Sequence, residues 1–278
     1  MGIFGRIDTF ITWFDGVVWG LPLIILILVT GIFLTVRLGL LQVRYLGKAL
    51  KFMLKNEEDG HGEVTSFGAL CTALSATIGT GNIVGVATAI SAGGPGALFW
   101  MILTAFLGMA TKYSEGLLAV KYRTIDEDRH VLGGPFYYIE NGMGVKFRWL
   151  AKIFAFFGAG VGLFGIGTFT QVNGISSAVC NFFDPDKVNT IALFGRDYSI
   201  ATIIAGLALT VCVGLVVIGG LKRIASVSQV VVPFMAIIYF VFAFIVIVTH
   251  ITALPAAIVA IVKSAFTGSA LAGGAAGT

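Results

Sequence analysis

The sequence predicts an all-α integral membrane protein, a bundle of several membrane-spanning helices. Its 278 residues are 57% hydrophobic and only 12% charged, and the mean hydropathy is +0.96. A soluble domain carries about 25% charged residues. Several apolar stretches are long enough to cross a bilayer, which takes about 20 helical residues at a rise of about 1.5 Å each. Composition and stretch length together exclude an ordinary soluble domain.

Short polar or basic segments separate the predicted spans. The fourth stretch is too long for one straight span, so we expect it to begin as an interfacial or tilted helix. Residues 1–16 carry apolar side chains at helical spacing, which is typical of a helix lying along the membrane interface. Asp184-Pro185-Asp186 predicts a turn in the loop 182–198. The spans cover roughly residues 17–36, 67–92, 97–120, 150–181, 199–219 and 227–249, and a seventh begins near residue 255.

The distribution of Lys and Arg predicts the orientation. Of the 18 such residues, 13 lie in the loops 37–66, 121–152 and 220–226, and only four lie in the segments of the opposite side. The positive-inside rule then places the three basic loops in the cytoplasm and the N-terminus outside, in the plasma (cell inner) membrane. The net charge of +4 fits anionic membrane lipids as partners and not nucleic acid, because the basic residues flank apolar stretches.

Cysteine and histidine offer no cofactor or metal chemistry. Cys71, Cys180 and Cys212 are scattered through apolar stretches without a CxxC or metal-ligand spacing, so we interpret them as packing residues. The three histidines lie in loops or at the edge of a span. We therefore expect no cofactor and no catalytic residue.

The second span contains a predicted break. Residues 67–101 include no charged residue, yet Gly79-Thr80-Gly81-Asn82 in the middle is a poor helix. Each Gly costs about 1 kcal/mol against Ala inside a helix, and a break frees backbone groups that lipid cannot satisfy. Such a break persists only where protein or a water-filled cavity surrounds it. Secondary transporters use half-helix ends of this kind to hold small charged solutes and ions.

Two other interpretations of the break are open. Gly81 and Gly85 have the spacing of a small-residue packing seam between helices. A dinucleotide loop is the other, but the glycine spacing misses GxGxxG and no strand precedes it. We favour a site in which free N–H groups face a substrate carboxylate, while carbonyls and the Asn82 amide bind a cation.

The motifs around the break resemble those of the alanine/glycine:cation symporter family, the sodium:alanine symporters. The first is the run from Ala76 to Ile83, Ala-Thr-Ile-Gly-Thr-Gly-Asn-Ile, followed by Gly93-Gly94-Pro95-Gly96-Ala97 and Phe99-Trp100-Met101. The resemblance covers the whole chain. It also includes the run 108–113, the Gly133-Gly134-Pro135 loop, Gln171-Val172-Asn173 and the Gly273-Gly274 pair.

The resemblance implies a LeuT-type fold, in which one extra helix precedes two inverted five-helix repeats. Residues 1–278 would form one transmembrane domain. Residues 1–66 would hold an amphipathic segment, the extra first span and a cytoplasmic loop. The first repeat would occupy 67–250, and 251–278 would begin the second. Because the sequence stops inside an apolar, Gly-rich run, we expect a chain truncated after the start of the seventh span, a fragment of a longer transporter.

The resemblance also implies the site residues. Gln171 and Asn173, in the fourth span, would contact the substrate, although an interhelical hydrogen bond is the plainer explanation of polar amides there. Ala275 would border the substrate pocket at a position where the family commonly has Phe, which puts a strict preference for alanine or glycine in doubt. The substrate-binding residues are then Thr77, Ile78, Gly79, Thr80, Gly81, Gln171, Asn173 and Ala275, and the Na⁺ ligands are Ala76, Thr77 and Asn82.

One charged pair lies inside a span. Lys112 and Glu115 are three residues apart, so they share a helix face. A proton relay and a structural salt bridge near the membrane edge are both possible. We favour the salt bridge, since Lys121 and Arg123 follow soon after at the predicted cytoplasmic end.

The predicted function is secondary active symport. A cation, Na⁺ in preference to H⁺, would enter with a small neutral amino acid such as alanine or glycine. A carrier of a larger amino acid such as glutamine is an alternative. A channel would need a selectivity filter or charged rings, and an enzyme would need a catalytic constellation. Neither pattern occurs in the sequence.

Overall fold

The computed structural model describes residues 3–18, 20–54, 64–128, 130–165, 167–193, 195–270 and 273, and helices dominate them. The first seven α-helices are α1 Ile3–Val18, α2 Leu21–Arg37, α3 Leu41–Arg44, α4 Leu46–Leu54, α5 Ser66–Thr77, α6 Val84–Gly93 and α7 Ala97–Lys121. The next six are α8 Pro135–Met143, α9 Arg148–Phe164, α10 Thr168–Phe183, α11 Ile200–Val217, α12 Gly220–Thr249 and α13 Leu254–Ser264.

Two short antiparallel hairpins and three 3₁₀ turns complete the described secondary structure. Strand β1, Thr124–Ile125, pairs with β2, Val131–Leu132. Strand β3, Thr190–Leu193, pairs with β4, Arg196–Ser199. The 3₁₀ turns are Thr80–Asn82, Val145–Phe147 and Ile251–Ala253.

The described helices confirm an all-α membrane architecture. Five helical segments are long and apolar enough to cross a membrane, and a sixth span is counted if α5 and the segment Thr80–Gly93 form one interrupted span. The shorter apolar segment Ile251–Ser264 lies where we expected a seventh span to begin. The five are Gly5–Arg37, Ala97–Lys121, Val145–Phe183, Ile200–Val217 and Gly220–Thr249.

The buried core consists of small side chains, and the large apolar ones face outward. Cys71 is the largest side chain among those under 2% exposed, while Phe240 in α12 is 76% exposed. Lipid gives helices no hydrophobic reason to bury large residues against one another, so small residues that allow close approach line membrane helix interfaces. The chain is therefore built as a multi-pass membrane protein.

The first compact unit comprises residues Met1–Lys51, Gly85–Tyr122 and His250–Thr278. Helix α2 packs along α7, where Gly31 faces Leu107. Gln42 in α3 is buried, and its Nε2 donates to Thr35 Oγ1 at 2.9 Å and to the Phe106 carbonyl at 3.2 Å. Its two bonds fasten the end of α2 and the short α3 to the middle of α7.

Residues after α13 pack on the start of α7 in the same unit. The Trp100 indole N–H donates to the Ala265 carbonyl at 2.5 Å, and the Phe266 ring contacts the rings of Phe99 and Trp100. Gly93 approaches Gly273 so closely that a methyl group on Gly93 would lie 2.6 Å from the Gly273 Cα. The two glycines therefore permit backbone contact that any side chain would block.

The second compact unit comprises Phe52–Val84 and Arg123–Thr249. Helix α5 packs on α12, α10 on α11, and α8 on α9. An ion pair of 2.6 Å between Glu140 and Arg148 joins α8 to α9. The predicted division of the chain into an extra span and two repeats stays a prediction.

The long fourth stretch is two helices. Helix α9 ends at Phe164 with Gly165 in the left-handed region (φ 60°), and Gly167 (φ 88°) precedes α10. Positive φ is the conformation that favours glycine, so this pair explains why the helix stops here. A Cβ on Gly158 or Gly160 would meet nothing within 4 Å, so these two glycines of α9 make no close helix contact in the described part of this unit.

The loop 182–198 contains the β3–β4 hairpin in addition to the predicted turn. The Asp184 carboxylate accepts a hydrogen bond from Ser199 Oγ at 2.6 Å and from the Val188 N–H at 2.9 Å. These bonds close the base of the β3–β4 hairpin between α10 and α11. They hold the pKa of the Asp184 carboxyl below its usual value, with the Ser199 bond as the largest cause.

Candidate functional site

The second span is interrupted at the predicted residues. Helix α5 ends at Thr77, and Ile78 (φ −86°, ψ 117°) and Gly79 (φ −157°, ψ −161°) are extended. A single 3₁₀ turn, Thr80–Asn82, follows before α6 begins at Val84. The break therefore occupies residues 78–83, as the glycines predicted.

Two side-chain oxygens hold backbone N–H groups that the break frees. The Gly79 N–H donates to Asn82 Oδ1 at 3.1 Å, within the 3₁₀ turn. The Thr80 N–H donates to Oε1 of Gln171, on α10, at 2.9 Å. Freed backbone groups need such partners, because a buried donor left without one costs about 1–3 kcal/mol. Gln171 thus lies at the break, and its contact with the substrate, which the resemblance implies, stays a prediction.

Two glycines allow α10 to lie close to the break. A methyl group at Gly79 would overlap the Gln171 side chain, and one at Gly174 would lie 2.7 Å from Thr80 Cγ2. Gly174 follows Gln171 by about one helical turn, so both face the break. Sequence reasoning missed Gly174, although its spacing from Gln171 was a signal.

The end of α5 supplies carbonyl oxygens. The last carbonyls of an α-helix have no intrahelical donor, and those of Ala76 and Thr77 belong to this group. The Thr77 hydroxyl donates to the Ala73 carbonyl at 2.8 Å, which leaves its oxygen lone pairs available. Oxygen ligands of this kind suit a hard cation. In the described part of the chain, no group of three or more His, Cys, Asp and Glu residues could hold a metal ion.

The structure does not gather every predicted site residue. Asn173 is exposed and lies two residues after Gln171, about 200° around α10, so it is on another face. Ala275 lies outside the described residues. Gly81 and Asn82 are exposed. The assignment of each residue to substrate or cation stays a prediction.

The charged pair in α7 is an ion pair. Lys112 Nζ lies 2.9 Å from Glu115 Oε2, and the two side chains are 75% and 41% exposed. This agrees with a structural salt bridge.

The arrangement can bind a small zwitterion and a cation side by side. N–H groups at the break can donate to a carboxylate in place of Gln171 Oε1, and the carbonyls at the end of α5 can contact positive charge. An interrupted span with polar backbone exposed at its centre is typical of secondary transporters. The fold and the break thus define a multi-pass membrane protein with an interrupted span.

Comparison with known proteins gives the family. A model of the sodium:alanine symporter family matches residues 5–278, and the chain belongs to that family. This confirms the resemblance drawn from the motifs. It also confirms the prediction of a transport protein and not an enzyme.

Characterised and uncharacterised relatives match nearly the whole chain. An uncharacterized transporter of Haemophilus influenzae is 51% identical over 98% of this chain and 56% of its own. The sodium/alanine symporter AgcS of Methanococcus maripaludis is 43% identical over 91% of this chain and 53% of its own. A putative sodium/proton-dependent alanine carrier of Bacillus subtilis is 39% identical over 92% and 49%. The chain spans about half the length of these relatives.

Proposed function

We propose that the chain is part of a secondary active symporter that couples entry of Na⁺ to uptake of a small neutral amino acid such as alanine or glycine. The hydrogen bond from the Thr80 N–H to Gln171 Oε1, at the break in the second span, carries the proposal. It places a part-buried backbone donor at the break against a side chain, and we propose that a ligand takes the place of that side chain. Two relatives are named for alanine, one as a sodium/alanine symporter and one as a putative sodium/proton-dependent alanine carrier, and these names support the choice of amino acid.

The proposed roles follow from charge. The substrate carboxylate binds the N–H groups of residues 79–81 and the amide N–H₂ of Gln171, while the Ile78 N–H stays bonded to the Leu74 carbonyl. The cation binds the carbonyls of Ala76 and Thr77 and the Asn82 side-chain oxygen, next to the carboxylate. Each ligand then lowers the electrostatic cost of binding the other, which couples the two through one site.

Na⁺ is the proposed coupling ion because the break offers neutral oxygens. Residues 67–101 contain no Asp or Glu that could carry a proton at this depth. Hard cations prefer oxygen ligands of this kind.

Uptake of labelled alanine into proteoliposomes tests the proposal. The full-length transporter is reconstituted, and an inward Na⁺ gradient or an inward H⁺ gradient is imposed separately. We expect saturable uptake with the Na⁺ gradient alone, and competition by unlabelled glycine. Uptake that follows the H⁺ gradient and ignores Na⁺ would refute Na⁺ coupling, and uptake that does not saturate would indicate a channel.

A further inference from the structure

One side chain of α12 reaches the beginning of α5. Thr65 is the N-cap of α5, and its Oγ1 accepts a hydrogen bond from the Gly68 N–H at 3.0 Å. The same oxygen accepts a second, longer bond of 3.4 Å from Nε2 of Gln229. Thr65 therefore joins the first turn of α5 to α12 through a contact weak enough to be released.

The contact itself is exposed, but Gly68 and Cys71 beside it are buried. A methyl group at Gly68 would overlap the Gln229 amide nitrogen, so glycine leaves the room that the side chain fills. Cys71 follows Gly68 by three residues, lies on the same face of α5 and is 1% exposed. Solvent can therefore reach the Cys71 thiol only if this face of α5 is uncovered.

The backbone of α12 is weakened at the same residue. Pro233 lies inside α12. Proline has no N–H, and its ring crowds the carbonyl four residues earlier, which is that of Gln229. Helices bend at such positions. The side chain that holds α5 thus projects from the residue at which α12 lacks an internal hydrogen bond.

Helix α5 is short and is followed directly by non-helical backbone. It has 12 residues, and the chain leaves helical geometry at Ile78 and Gly79 directly after it. A change at two extended residues is enough to reorient it. Hinges are commonly a few residues at the end of an element.

We propose that Gln229 is a positioning residue for transport: its amide latches the start of α5 to α12, and release of this latch lets α5 move during the transport cycle. The proposal rests on the proposed symport function. The proposed binding site then lies at the C-terminal end of α5, and the latch lies at the N-terminal end of the same 12-residue helix.

The two buried cysteines of this unit provide the test. In a Cys212→Ser background of the full-length transporter, N-ethylmaleimide is applied to proteoliposomes, and mass spectrometry of peptides gives the alkylation rates of Cys71 and Cys180 separately. Cys180, on α10, is 4% exposed and serves as an internal reference. Gln229→Leu removes the amide, Thr65→Ser keeps the hydroxyl, and Thr210→Val removes a hydroxyl that bonds only within α11.

We expect Gln229→Leu to raise the Cys71 rate about three- to tenfold, the effect of losing one neutral hydrogen bond. The Cys180 rate should stay constant, and Thr65→Ser and Thr210→Val should change neither rate. An unchanged Cys71 rate in Gln229→Leu would overturn the latch. A parallel rise at both cysteines would overturn it as well, because it would mean general loosening.

Alanine uptake by the same proteoliposomes separates the two proposals. Na⁺-dependent uptake with an unchanged Cys71 rate in Gln229→Leu refutes the latch alone. A raised Cys71 rate in Gln229→Leu, together with no Na⁺-dependent uptake by the wild-type transporter, supports a releasable contact and refutes the proposed symport.

Discussion

The amide of Gln171 brings an acceptor and two donors to the break. Its Oε1 holds the Thr80 N–H in the structure, and its N–H₂ group can donate to a carboxylate. A substrate therefore replaces one partner and gains another. This exchange limits the net gain to a modest amount, which suits a carrier that must also release its cargo.

The first prediction concerns this residue. Gln171→Ala should weaken alanine binding about tenfold, the effect of one lost hydrogen bond to a charged group. Na⁺ affinity should change less, since Gln171 comes from α10 and the proposed Na⁺ ligands come from the break. Separate titrations of the two ligands provide the measurement. Asn173→Ala is the comparison, because Asn173 lies on another face of α10. Equal loss for both ligands would indicate that Gln171 only supports the fold.

Gly79 leads to the second prediction. In Gly79→Ala the new methyl group overlaps Gln171, so the amide must leave the Thr80 N–H. Overpacking of this kind costs about 1–3 kcal/mol, and we expect loss of alanine uptake with retained expression. Gly85→Ala is the matched control, because a methyl group there meets nothing within 4 Å. Normal uptake by Gly79→Ala would show that the approach of α10 to the break is not needed.

At the scale of elements, the β3–β4 hairpin is held by contacts that the lengths of the apolar stretches do not predict. The Asp184 carboxylate, 7% exposed, fastens the β3–β4 hairpin between α10 and α11. A carboxyl whose pKa is lowered on folding stabilises the protein above its unfolded pKa, about 3.9 for Asp, and the effect is lost as pH falls through the folded pKa.

The third prediction follows from the lowered pKa of the Asp184 carboxyl. The melting temperature of the wild type should fall when pH drops from 7 to 3, in part because Asp184 becomes protonated. Asp184→Asn should melt a few degrees lower than the wild type at pH 7, with a smaller further decrease at pH 3. Scanning fluorimetry in detergent measures both, with Asp186→Asn as the exposed control. Parallel pH profiles for the wild type and Asp184→Asn would contradict a stabilising role for this carboxylate.

The ion pair of α7 gives the fourth prediction. Lys112 and Glu115 form an ion pair inside a span, so changing one partner leaves the other charge uncompensated in a medium of low dielectric. The double variant Lys112→Met, Glu115→Gln should therefore keep transport and stability near wild type, and be tolerated better than either single change. Uptake assays of all three variants distinguish a structural salt bridge from a proton relay. A stable double variant that has lost uptake would support a proton relay.

The sequence predicted those features of the fold that depend on neighbouring residues in the chain. Gly79 and Gly81 predicted the break, and the excess length of the fourth stretch predicted a departure from one straight span. The two hairpins were missed, because strands of two to four residues beside Pro and Gly give too short a pattern. Contacts between distant residues were also missed. Gln229 bonds a residue 164 positions away, and no local pattern signals that distance. Gln171, 91 positions from Thr80, was placed at the break by family resemblance alone.

For the whole molecule, the basic loops predict the orientation in the membrane, which is the fifth prediction. In a cysteine-free background, Asp186→Cys should react with an impermeant maleimide on intact cells. Lys146→Cys should react only after permeabilisation, since 121–152 is a predicted cytoplasmic loop. Both residues are exposed in the structure, so access is not limited by the fold. The reverse pattern would show that the N-terminus lies inside.

The absence of charge in residues 67–101 has an electrical consequence. A site made of neutral oxygens and N–H groups adds no charge of its own to what it carries. One cation and one zwitterion together carry a net charge of +1, while the empty site carries none. Each inward cycle with that stoichiometry therefore moves one positive charge, to which a potential of 100 mV, negative inside, contributes about 2.3 kcal/mol. Cells could then concentrate the amino acid by voltage even when the Na⁺ concentrations on the two sides are equal.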